Sequence, residues 1–235
     1  GAFITGKFLE IRTSISYNNA PVKIIGTHGG FIGKDGATQS GTQDLSLIMS
    51  LPNFEVFQPC SPIETIKILD HIIKSKSPSY VRICRNNVSE IFDKNYKFVP
   101  GKPVELIKSK KNVIISSGPL IHNCLQATKF LKKKNIDTGL ININSIKPFN
   151  YKLLEKLLKF KKNICVIEDH VSHGGLSSLV YETLAKSKLK NYNVKSLNLD
   201  EKFSESGNPD DLEKEYGFDP EKIAKKFYEQ INLAK

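Results

Sequence analysis

His28, Asp35 and Arg85 are the side chains of this sequence whose types and positions could do chemistry. His28 closely follows the apolar run Val22–Ile25, so it stands near the end of a buried-type strand. An imidazole there can donate hydrogen bonds to an oxyanion, more strongly when protonated. Arg85 ends the strand-like run Ser79–Cys84, and its planar guanidinium fork suits a phosphate. Asp35 is held between Lys34 and Gly36, where a carboxylate either bonds its own turn backbone or faces a ligand. Arg82 lies inside the same run as Arg85 and is the weaker candidate for a ligand contact. His170 and His173 follow Glu168-Asp169 and could pass for a metal cluster. No further ligand spacing supports a metal there, and helix capping with domain-interface packing is the reading taken. Ser117-Gly118-Pro119, at a strand–helix turn, has the form of an anion nest, with no ligand assigned.

The stretch that must position His28 and Asp35 is Gly26–Asp44. It carries six glycines within Gly26–Gly41. Such density lets a backbone take positive φ and approach a ligand closely. A loop at the carboxyl end of a strand is where open α/β folds bind ligands. The 235 residues suffice for one large or two modest domains, and 39% hydrophobic with 25% charged residues is an ordinary globular composition. No apolar run reaches the roughly 20 residues of a membrane-spanning helix, and Gly1–Thr13 lacks a signal-peptide pattern. A cytoplasmic protein is therefore expected. The four cysteines show no C-x-x-C spacing and read as free thiols of a reducing compartment. The formal net charge of +11 sits on lysines of helical stretches, without RNP-like or zinc-knuckle patterns. That reads as a solvated surface, with neither nucleic acid nor membrane as partner, and as a field that favours an anionic substrate.

The remaining elements alternate. Phe8, Ile11 and Ile15 recur at helical spacing and predict a helix near Thr5–Tyr17. Asp44 is expected to N-cap a short helix carrying Leu45, Leu47 and Ile48. Phe54–Gln58 reads as a strand. Ser61-Pro62-Ile63-Glu64 reads as a capping box opening a helix to about Lys74, with Ile66, Leu69, Ile72 and Ile73 on its inner face. Phe92–Pro103 is turn-rich. Beyond it come strands at Asn112–Ser116, Gly139–Asn144, Asn163–Ile167 and Tyr192–Leu197. Helices are expected up to Leu131, from Asn150 to Phe160, after Gly174-Gly175, and from Asp219 to about Asn232. This alternation predicts an α/β protein with parallel sheets.

Thr27-His28, Gly33–Thr38, Asp44-Leu45 and Leu51-Pro52-Asn53 together resemble the pyrimidine-domain signature of transketolases, most closely the split type in which that half is a separate chain. Gln58-Pro59 through Glu64 and Ser79–Arg85 keep the order, and Glu168–Leu176 resembles the E-D-H-x-x-x-G-G-L run of the C-terminal domain. The resemblance implies two consecutive three-layer α/β/α units with largely parallel sheets. A partial pyrimidine-binding domain would occupy 1–98, a linker 99–110, and the transketolase C-terminal domain 111–235. It implies that His28 and Arg85 bind a sugar phosphate at its phosphate, and that Asp35 bonds a sugar hydroxyl. Phe3 would match the aromatic cluster around the aminopyrimidine ring. Gln39 departs from the pattern, which has a histidine there that assists proton transfer and binds substrate; Gln39 can only hydrogen-bond.

The resemblance also implies thiamine diphosphate and Mg2+ as cofactors, held mainly by a partner half that bears a G-D-G motif absent from this sequence. The family's catalytic glutamate would fall upstream of Gly1, so no catalytic or metal-binding residue is assigned here. The expected assembly is a homodimer or a heterotetramer with the N-terminal half, acting on sugar phosphates. The expected activity is two-carbon ketol transfer. The alternatives are a β-type subunit of a 2-oxo-acid dehydrogenase, a deoxyxylulose-phosphate synthase, and a non-catalytic dimerising scaffold.

Overall fold

The computed structural model describes residues 1–31, 36–85 and 87–233. The chain opens with two short helices, α1 (Phe3–Gly6) and α2 (Phe8–Glu10), running into a π-helical stretch, Ile11–Tyr17. Then come β1 (Lys23–Gly26), α3 (Asp44–Met49), β2 (Glu55–Phe57), α4 (Pro62–Lys74) and β3 (Ser79–Arg82). These are followed by β4 (Val104–Ile107), β5 (Asn112–Ser116), α5 (Leu120–Lys133), β6 (Thr138–Asn142), β7 (Ser145–Lys147) and α6 (Tyr151–Leu158). The chain continues through β8 (Asn163–Ile167), α7 (Leu176–Lys186), β9 (Asn193–Leu197), α8 (Pro209–Tyr216) and α9 (Pro220–Leu233).

Two sheets result. The first has the order β1-β3-β2-β7, and the second β4-β6-β5-β8-β9. Strands β1, β3 and β2 are parallel, as are β6, β5, β8 and β9; β7 and β4 each add an antiparallel edge. Because side chains alternate along a strand, each sheet feeds two layers. Val113 and Ile115 face a cluster with Leu154 of α6 and Val180 of α7, while Ile114 faces one with Leu131 of α5 and Phe227 of α9. In the first sheet, Val56 and Tyr80 join α3, while Phe57 and Val81 pack on Ile68 and Ile72 of α4. The expected α/β architecture with two layered, mostly parallel sheets is present.

The two sheets are not independent bodies. β7 leaves the second sheet's neighbourhood to pair with β2, Val56 opposite Lys147 and Phe57 opposite Ser145. One apolar cluster contains Ile48, Val56 and Tyr80 from the first part and Ile146, Val166 and Leu176 from the second. The stretch 99–110, read as a linker, contains β4. The run Gly139–Asn144, read as one strand, is β6, followed by β7 in the other sheet.

Helix α4 is rotated from the expected phase. Ile68 and Ile72 are buried, whereas Ile66 and Ile73 are exposed, at 55% and 73%. The apolar residues form a wide stripe, so spacing alone does not fix which part of it is buried; Glu64, Ile68 and Ile72, each one turn apart, form the buried line. Ser61 Oγ accepts from Glu64 N at 3.4 Å, and Glu64 Oε2 reaches back to Cys60 N at 2.8 Å, one residue earlier than a capping box predicts. Glu64 also accepts from Asn144 Nδ2 at 2.6 Å and Tyr96 Oη at 3.0 Å.

Candidate functional site at the carboxyl edge of the first sheet

In the parallel pair β1 and β3, Gly26 stands opposite Arg82, so both strands end at one edge. His28 follows two residues after β1 and Arg85 three residues after β3. Ile83 N donates to Gly26 O at 2.9 Å and Gly29 N donates to Ile83 O at 3.1 Å, which ties the two loops together. His28 and Arg85 are both exposed there. His28 has φ of 57°, a left-handed conformation that costs a residue with a Cβ roughly 1–2 kcal/mol. Gly30 N donates to Gly41 O at 2.9 Å, closing the glycine loop on itself.

Gln39 is exposed in a turn in which its N–H donates to Gly36 O at 3.1 Å. Asp35 lies outside the described residues. Phe3 is 83% exposed and begins the first helical turn. Gly1, two residues earlier, packs against Gly29 and Gly41, which sets Phe3 beside the same loop. His28 and Gln39 thus lie on the loop between β1 and α3, Arg85 follows β3, whose end is tied to that loop, and Phe3 comes two residues after Gly1, which packs on the loop.

Beneath that edge lies a buried ionic network. Arg82 is 1% exposed. Its Nε donates to Asp44 Oδ2 at 3.1 Å, its Nη1 to Asp169 Oδ1 at 2.5 Å, and its Nη2 to Gly41 O at 2.6 Å and Asp169 O at 3.0 Å. Burial opposes the guanidinium charge, but the Asp169 and Asp44 carboxylates outweigh it and raise its pKa. Tyr80 Oη donates to Asp44 Oδ2 at 2.5 Å, with the tyrosine ring lying over Gly26, where a Cβ would meet Oη at 2.1 Å. Asp44 is thus not the N-cap expected of it: Gln43 holds that place, and the carboxylate turns inward to serve Arg82 and Tyr80.

The run Glu168–Leu176 is explained by packing. Glu168 accepts from Leu176 N at 2.6 Å and Ser177 N at 3.1 Å, which caps α7. Burial pushes its carboxyl up to about 7. A Cβ on Gly175 would meet Glu168 Oε2 at 2.2 Å, and Gly174, at φ 74°, presses on Ser46. His170 Nδ1 donates to Val171 O at 2.9 Å, leaving Nε2 to accept from Ser46 N at 3.3 Å. Burial, then the Arg82 charge, lower its pKa. His170 therefore docks the second part of the chain onto α3 through its side chain, while His173 meets α3 only through its backbone oxygen, which accepts from Ser46 Oγ at 2.5 Å; its exposed ring faces Ser172 and Glu201.

The sequence matches "Transketolase, pyrimidine binding domain" over residues 1–90 and "Transketolase, C-terminal domain" over residues 101–223. The putative transketolase C-terminal section of Methanocaldococcus jannaschii is 31% identical over 97% of this chain and 72% of its own length. The chain belongs to the transketolase family. The 1-deoxy-D-xylulose-5-phosphate synthase of Clostridium beijerinckii is 30% identical over 95% of this chain, which spans 36% of that relative's length. A solved split-gene transketolase, an inactive beta4 tetramer, superposes with a TM-score of 0.90 at 29% identity, covering 100% of this chain and 75% of that one.

Transketolases use thiamine diphosphate and Mg2+. Phe3 offers an uncovered aromatic face beside the glycine loop. Among the described residues, no group of three or more His, Cys, Asp or Glu is placed to hold a metal ion. Among the same residues, no helix is long and apolar enough to cross a membrane.

Proposed function

We propose that this chain is the pyrimidine and C-terminal part of a transketolase that moves a two-carbon ketol unit between sugar phosphates, completed by a separate half bearing the diphosphate and metal site. The observation that supports this reading is that exposed His28 and Arg85 lie on the two chain segments leaving the carboxyl edge of β1 and β3, whose backbones are tied by the Gly29 N–Ile83 O bond. A guanidinium and an imidazole carried at one sheet edge suit a phosphate. Bound thiamine diphosphate supplies the carbon nucleophile that opens the C2–C3 bond of a ketose phosphate. This chain's own residues do the holding. Arg85 and His28 take the substrate phosphate, Asp35 takes a sugar hydroxyl, Gln39 hydrogen-bonds near the reacting end, and Phe3 packs on the cofactor's pyrimidine ring. Binding the remote phosphate orients the reacting carbon.

The inactive beta4 assembly of the split-gene relative supports dependence on a partner half, with a heterotetramer as the working form. The four cysteines form no disulfide and three of them are buried, which supports a reducing cytoplasm. A second reading, deoxyxylulose-phosphate synthesis, draws on the Clostridium relative. Product analysis with xylulose 5-phosphate or pyruvate as donor separates the two. Ketol transfer from xylulose 5-phosphate is expected; decarboxylation of pyruvate with deoxyxylulose-phosphate formation would replace this reading with the second.

A further inference from the structure

We propose that Arg82 is a positioning residue for the phosphate site, and that the second part of the chain works through it as a brace on the loop carrying His28. The proposal rests on the reading of His28 as a phosphate ligand. Arg82 touches no substrate, being buried, yet every polar end of its fork is spent on this loop or its support. Gly29, next to His28, lies directly on the arginine: a Cβ there would meet Arg82 Cγ at 2.5 Å. Gly30, at φ 91°, lies on the carboxylate that holds the arginine, where a Cβ would meet Asp169 Oδ2 at 2.2 Å. The backbone on the far side of the loop is fixed by Arg82 Nη2 on Gly41 O.

Asp169 comes two residues after β8 and belongs to the second sheet's framework, not to the first. Its Oδ1 also accepts from Gln58 Nε2 at 3.3 Å, and Gln58 Oε1 accepts from Ser117 Oγ at 2.8 Å, so it is itself tied at the end of β5. The same framework meets the loop at three further points. Val171 N donates to Thr42 O at 3.0 Å, Ser204 Oγ donates to Ser40 Oγ at 2.5 Å, and Gly36, at φ 81°, packs on Ser206. A left-handed His28 between β1 and two glycines has little rigidity of its own; these contacts supply it.

The test uses Asp169→Asn, which keeps an acceptor at Oδ1 and the side-chain shape, and Arg82→Lys, which keeps the charge and loses the fork. Each is assembled with the diphosphate-binding half and shown to melt cooperatively. Amide exchange at Gly29 and Gly30 is measured first, without substrate. KM and kcat are then compared for a phosphorylated ketose donor and for hydroxypyruvate, which has no phosphate, each with glycolaldehyde as an unphosphorylated acceptor. The expected result is exchange at least about tenfold faster at both amides, with KM for the phosphorylated donor raised about tenfold and hydroxypyruvate turnover unchanged. Unchanged exchange in both variants would overturn the brace whatever the kinetics. Faster exchange with equal losses on both donors would overturn the phosphate role of His28, and with it the positioning role of Arg82. Should Arg82→Lys fail to melt cooperatively, Asp169→Asn alone decides.

Discussion

Arg85 and Arg82 lie three residues apart in opposite surroundings. Arg85 ends in an exposed bend at the sheet edge; Arg82 is sealed beneath it between two carboxylates. Arg85→Ala should raise KM for phosphorylated sugars by roughly 10- to 100-fold, the range of a lost hydrogen bond to a charged group. Transfer from an unphosphorylated donor to an unphosphorylated acceptor should stay unchanged, and steady-state kinetics with both kinds of substrate checks this. Gln39 stands exposed in the turn that follows Gly36. Gln39→His should increase ketol transfer by restoring a proton relay, and an unchanged rate would show a site tuned to work without it. At this scale the sequence exposed part of the answer. A histidine after an apolar run and an arginine ending one are legible because strand ends are where an α/β sheet presents ligands groups. Arg82 was not legible. Only carboxylates from 38 and 87 residues away make its burial tolerable, and no local pattern announces them.

The element with the clearest electrostatic signature is α7, capped by Glu168. The unfolded carboxyl titrates near its ordinary 4.5 and the folded one near 7. The folded state therefore binds the proton more tightly between those values, so stability is lost as pH rises through that window, by up to about 3 kcal/mol. Glu168→Gln, which keeps one capping acceptor, should flatten that slope; denaturant titrations at pH 5 and pH 8 measure it. Parallel slopes in both proteins would place the cause elsewhere. Buried strands β5 and β8 were legible to the residue, because a central parallel strand is a continuous apolar run with polar ends. β7 was not, since three residues whose partner is β2, some ninety positions earlier, carry no periodicity. Helix α8 did carry signals, Asn208-Pro209 with two acidic residues and Gly217 at φ 77°, but it buries only Leu212, so its hydrophobic pattern is thin.

At the scale of the whole molecule, a shared core, the β2–β7 pairing and the Arg82–Asp169 bridge make the second sheet part of the first sheet's edge. An arrangement in which one half braces a substrate loop, and offers an uncovered Phe3 beside it, is suited to meeting another subunit across that edge. Residues proposed to hold a phosphate are present, while a metal-holding cluster is lacking among the described residues. The most direct test is ketol transfer from xylulose 5-phosphate to ribose 5-phosphate, with thiamine diphosphate and Mg2+, using this chain with and without a G-D-G-bearing half. Turnover only in the mixture is the predicted result. Cofactor bound by the mixture, with no transfer to any aldose phosphate, would contradict the assignment.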